Sequence, residues 1–140
     1  MSKAMLTICG CQYHSDAEPE IIELTTEGTL TRSETGWEIA YEESDMTGME
    51  GVKTTFCIEP GLVRLRRTGK LRSEMVFREG VPHESLYQLD FGALLITVCA
   101  RQISASIGPG GGSVDLTYDI EIEQAGNGIV EYHLDVRVIE

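Results

Sequence analysis

The feature that most constrains this chain is an alternation of apolar and polar residues with a period of two. It shows plainly from Gly61 to Leu89, GLVRLRRTGKLRSEMVFREGVPHESLYQL. Val63, Leu65 and Arg67 share one parity. Leu71, Ser73, Met75 and Phe77 share another, and His83, Ser85 and Tyr87 a third. Successive side chains of a strand point to opposite faces, so each set lines one face. A helix would repeat its apolar residues every three or four positions. Gly69 and Gly80 fall between the sets, where tight hairpins need positive φ. The pattern predicts a β-meander whose inner face mixes apolar residues with Arg67, Ser73, His83 and Tyr87.

The same period continues on both sides. Residues 4–13 read as a first strand and Glu20 to Arg32 as a second, with Ile22, Leu24 and Leu30 opposite Glu23, Thr25 and Glu27. Trp37, Ile39, Tyr41 and Glu43 share one face of a third strand, and Val52 to Glu59 forms a fourth. Ala93 to Ile107 is the longest apolar stretch. Its parity changes between Ala100 and Ile103, which predicts a bulge near Arg101. Val114 to Ile122 and Val130 to Val138 alternate again, with Gly108 to Gly112 and Gly126 to Gly128 read as turns. Ser44 to Gly51 breaks the alternation and reads as a rim loop. Its Met46 and Met49 either cover an opening or tuck onto the core.

About nine or ten antiparallel strands result, with no helix pattern. Hairpins in sequence, without long crossovers, favour an up-and-down barrel over a sandwich, and closure hides the edges of the terminal strands. The 140 residues suit one domain, 1–140.

Charge narrows the function classes. The net charge of −12 argues against binding nucleic acid or an anionic membrane. Residues 61–80 nevertheless carry six basic and two acidic side chains. That strip reads as cross-strand neutralisation or as an anion-binding patch. No stretch approaches the roughly 18 apolar residues of a membrane helix, and the first residues lack the apolar core of a signal peptide. A cytoplasmic protein with reduced Cys9, Cys11, Cys57 and Cys99 is expected. Cys9 and Cys11 with His14 would suit a soft metal, but paired zinc-type spacings are absent, and the thiols read as small apolar strand residues. Gly108 to Gly112 lacks the lysine of a phosphate loop. No cofactor, metal or catalytic residue is assigned, and no nucleophile elbow is present.

Five motifs carry a resemblance across nearly the whole chain. They are IELTTEGTL at 22–30, YEESDMTGMEGVKTT at 41–55, RTGKLRSEMVF at 67–77, HESLY at 83–87 and LTYDIEI at 116–122. In this order they resemble the YwiB-like family of small bacterial proteins. That resemblance implies a calycin-like, lipocalin-resembling β-barrel and supplies no activity. The chain departs from the family at Leu89-Asp90-Phe91-Gly92, where Thr-Pro-x-Gly is usual.

Parity then places Tyr41, Glu43, Arg67, Ser73, His83 and Tyr87 in the barrel interior. An arginine among an acid, a histidine and tyrosines suits a small polar or anionic ligand, because guanidinium grips carboxylate or phosphate with two bonds. The same residues also read as a closed polar network, with Glu43 paired to Arg67. A third reading uses the outer strip of Arg64, Arg66, Lys70 and Arg72 to meet an acidic partner or a second copy of the chain as a homodimer.

Overall fold

The computed structural model of the chain describes residues 1–13, 18–44, 49–89, 92–123 and 126–139. The strands are β1 (Ser2–Tyr13), β2 (Glu20–Arg32), β3 (Trp37–Glu42), β4 (Val52–Glu59) and β5 (Leu62–Gly69). They continue as β6 (Ser73–Phe77), β7 (Pro82–Leu89), β8 (Gly92–Gly108), β9 (Gly111–Ile122) and β10 (Gly126–Val138). All ten lie in one sheet, in the order β6-β5-β4-β3-β2-β1-β10-β9-β8-β7. Strands adjacent in sequence pair antiparallel, except at the sheet's two ends, β6 and β7. The chain's first and last strands lie side by side, with Ala4 opposite Val138 and Tyr13 opposite Ile129. This is the all-β, nearly closed up-and-down barrel that the alternation predicts, calycin-like in form. Among the described residues no helix is long and apolar enough to cross a membrane.

The two ends of the sheet meet loosely. Arg72 and Gln88 exchange both backbone hydrogen bonds, at 3.0 and 2.9 Å, and Val81 N–H donates to the Arg78 carbonyl at 3.1 Å. No strand ladder joins β6 to β7 between those two points. There the Val76 N–H donates instead to Nδ1 of the His83 ring, at 3.4 Å.

Inward parity decides burial. Leu6, Ile39, Phe56, Val63, Phe77, Val98, Val114 and Leu134 are almost wholly buried and form the core. The register slips between Ala100 and Gln102, so the bulge expected near Arg101 is present and returns Ile103 to the inner side. The positive φ expected at Gly69 and Gly80 is found.

Two glycine runs differ from expectation. Gly111 and Gly112 belong to β9, and the turn is only Pro109-Gly110; Gly126 to Gly128 belong to β10, paired with Ile122 to Ile120. At Gly111 and Gly112 the cause is close backbone approach. A Cβ on Gly112 would lie 1.8 Å from the Ser106 carbonyl oxygen, and one on Gly111 2.1 Å from that of Val136. Glycine there lets strands crowd together and does not mark a bend.

The basic strip is neutralised across the strands at Arg64 and Arg66. Arg64 faces Glu59 at 3.8 Å and Glu74 at 3.6 Å, and Arg66 faces Glu74 at 3.7 Å. Lys70 and Arg72 are exposed and form no ion pair among the described residues. The four cysteines are free thiols, with Cys57 buried. His14 and Met46 lie outside the described residues, as do Asp90 and Phe91 of the departure from the family pattern.

Candidate functional site

The barrel is hollow at one end. Where β1 finishes and β2 begins, a cavity of about 310 Å³ lies between the walls. Much of its surface is aliphatic, from Ile8, Leu24, Ile96, Ile120, Ile122 and Val130, and Met75 adds a thioether. Tyr41, Glu43, Arg67, Tyr87, Tyr118 and Tyr132 supply polar groups, and Gln12 and Glu20 also belong to the lining. Phe56 packs against Tyr132 with ring centroids 5.5 Å apart, and Phe77 against Tyr118 at 4.6 Å. Neither phenylalanine lines the cavity.

Strand register assembles the polar wall. Tyr41 lies opposite Thr54, Thr54 opposite Arg67, and Arg67 opposite Ser73. These four form one rung across β3, β4, β5 and β6, on the face that points inward. Glu43 follows Tyr41 by two positions and shares its side; its carboxylate accepts a 2.6 Å hydrogen bond from Thr54 Oγ1. Arg67 reaches past β6, and its Nη1 donates to the Tyr87 hydroxyl at 2.7 Å. Its Nε is buried and has no hydrogen-bond partner.

Of the six residues expected inside, the structure brings four to the cavity: Tyr41, Glu43, Arg67 and Tyr87. Ser73 is buried on the same rung but does not line the cavity, and its Oγ has no partner. His83 also stands apart, half-buried, holding the Val76 amide. Met49 lines the cavity, as one of the two readings of the rim loop held.

Sequence reasoning missed Thr54, Tyr118 and Tyr132. Their parity was visible, since Tyr118 alternates in step with Leu116 and Ile120. Nothing in the sequence linked those strands to Arg67, because pairings across the barrel are non-local.

Electrostatics follow from burial. Burial first, and then the Glu43 carboxylate, push the Tyr41 hydroxyl up to about 12. Burial raises Tyr118 and Tyr132 as well. Around Arg67 burial opposes the charge, but Tyr87, Tyr41, Glu43 and Tyr118 outweigh it and raise its pKa. The site therefore holds a fixed cation among protonated phenols. It can grip an anionic or acceptor group at one end and an apolar body along the other walls.

The nearly closed antiparallel ten-stranded barrel around this cavity is calycin-like in fold. Residues 6–136 match the family described as Domain of unknown function (DUF1934), and the chain belongs to that YwiB-like family. The crystal structure of the ywiB protein from Bacillus subtilis superposes with a TM-score of 0.89 at 19% identity, covering 99% of this chain and 93% of that one. At that identity the likeness speaks for the fold alone. No curated protein matches the chain.

Proposed function

We propose that the barrel binds a small amphipathic anion in this cavity, as a cytoplasmic binding protein. One observation carries the reading: the Arg67 guanidinium, its Nη1 donating to Tyr87, lines a largely aliphatic cavity with Tyr41, Tyr118, Tyr132 and the Glu43 carboxylate beside it. An acceptor entering the cavity would meet that cation away from bulk water, where a charge-assisted hydrogen bond contributes about 1.5–3 kcal/mol. A cavity of about 310 Å³ lies at the small end of the range for sites that take small organic ligands. A medium-chain monocarboxylate such as octanoate belongs to that class. Its carboxylate would meet Arg67 and Tyr87, and its chain would lie along Ile96, Ile120 and Ile122. The nearby Glu43 carboxylate disfavours a dianion at the same place.

The test is calorimetric titration with octanoate, octanol and octylamine, preceded by native mass spectrometry for a retained ligand. Octanoate is expected to bind and the other two to bind far more weakly. Arg67→Gln is expected to weaken octanoate by roughly 10- to 100-fold, the worth of a charge-assisted hydrogen bond. Equal affinity for octanol and octanoate would overturn the reading.

A further inference from the structure

We propose that the seam between β6 and β7 is a gate, opening locally to give a side entrance to the cavity. This inference rests on the reading of the cavity as a ligand site, and it concerns how that site is reached. Every other pair of neighbouring strands carries a regular ladder, from the four residue pairs of β2 with β3 to the twelve of β8 with β9. The β6–β7 seam has one reciprocal backbone pair at Arg72 and Gln88 and one turn bond between Arg78 and Val81.

The groups between those points are imperfectly satisfied. Val76 N–H reaches only a ring nitrogen, at 3.4 Å, which is beyond the usual range for such bonds. Ser73 Oγ is buried beside the seam with no partner. Burying an unmet hydroxyl costs free energy that opening would return, because water would then reach it. Local opening is concentrated where backbone pairing is sparse.

The seam also adjoins the cavity directly. Met75 of β6 and Tyr87 of β7 line the cavity from the two sides of the gap. The Arg67–Tyr87 bond spans the gap from β5, over β6, to β7. An anion that takes Arg67 competes with Tyr87 for the guanidinium. Occupancy is therefore coupled to the side-chain bond that helps hold the seam shut.

The decisive experiment locks the seam from outside. Arg72 and Gln88 are exposed and directly opposed, so the pair Arg72→Cys with Gln88→Cys has a span of about 5.5 Å between Cα atoms, within disulfide reach. Hydrogen exchange is measured on the wild type and on the oxidised and reduced variant, and octanoate exchange between free and bound forms is followed by NMR. In the wild type, the amides of Val76 and Leu86 are expected to exchange at least 100-fold faster than those of Leu6 and Leu134. The lock should slow them at least tenfold and slow octanoate exchange similarly, with reduction restoring both. Should Val76 and Leu86 exchange as slowly as Leu6 and Leu134, no gate exists. Unchanged octanoate exchange in the locked protein would mean entry by the open end, and would also overturn the gate. If octanoate binds none of these proteins, the ligand reading fails, and hydrogen exchange alone decides whether the seam opens.

Discussion

Thr54 is the most deeply buried group of the inward rung, and removal of its hydroxyl has a simple expected effect. It is fully buried, and its hydroxyl donates to the Glu43 carboxylate, itself only 6% exposed. Thr54→Val keeps the shape and deletes the donor. Taking one donor from a buried carboxylate costs about 1–3 kcal/mol, so urea denaturation should show a loss in that range. The rung also shows how far single residues were legible. Parity placed Tyr41, Glu43, Arg67 and Tyr87 on the inner face, because alternation depends only on local geometry. It could not separate Ser73 and His83 from them. Whether an inward side chain meets empty space or a neighbouring strand depends on the register of distant pairs.

At the scale of elements, β9 and β10 carry a charge cluster on their outer face. His133 bonds Asp115 through Nδ1 at 2.5 Å and Asp135 through Nε2 at 2.9 Å. Asp115 first, and then Asp135, raise the His133 pKa above its ordinary value. The sign follows from linkage. A raised folded-state pKa gives stability that is fully present below the ordinary histidine value of about 6.5 and is lost as pH rises through the raised value. The three side chains are substantially exposed, so the contribution is at most about 1 kcal/mol. His133→Asn should lower stability at pH 5.5 and leave it unchanged near pH 9, as read by thermal melts across pH. Element boundaries were legible where alternation was strict: β2 and β4 begin and end where the pattern does. They were misread at Gly111, because a glycine that permits close strand approach has the same sequence signature as one that permits a turn, and at Gly126, where a positive φ falls inside the strand.

Across the whole molecule, closure depends on the first and last strands. Ile139 N–H donates to the Lys3 carbonyl at 2.9 Å, so the two ends of the described chain lie together. A short linker from residue 139 to residue 3 allows new ends to be cut elsewhere. Cutting at Gly80, in the turn of the β6–β7 seam, should preserve the barrel. Cutting at Pro109-Gly110 divides β8 from β9, which are joined by a long ladder, and should cost more stability. Urea midpoints of the two permutants test this. The barrel itself was legible from sequential hairpins, whereas the location of its gap was not. Residues 61–89 read as one uninterrupted meander, and only the register shows that the hairpin between β6 and β7 is scarcely paired.

The tyrosines around Arg67 give the barrel a built-in optical gauge. Tyr41 ionises only near pH 12, and burial holds Tyr118 and Tyr132 above the usual value as well. In an opened chain the same phenols ionise near pH 10. Between those values the shut barrel keeps them as phenols, while the open chain carries phenolates that absorb more strongly and at longer ultraviolet wavelength. Alkali therefore draws the molecule toward opening, and its ultraviolet absorbance counts the fraction that has opened, without any added dye.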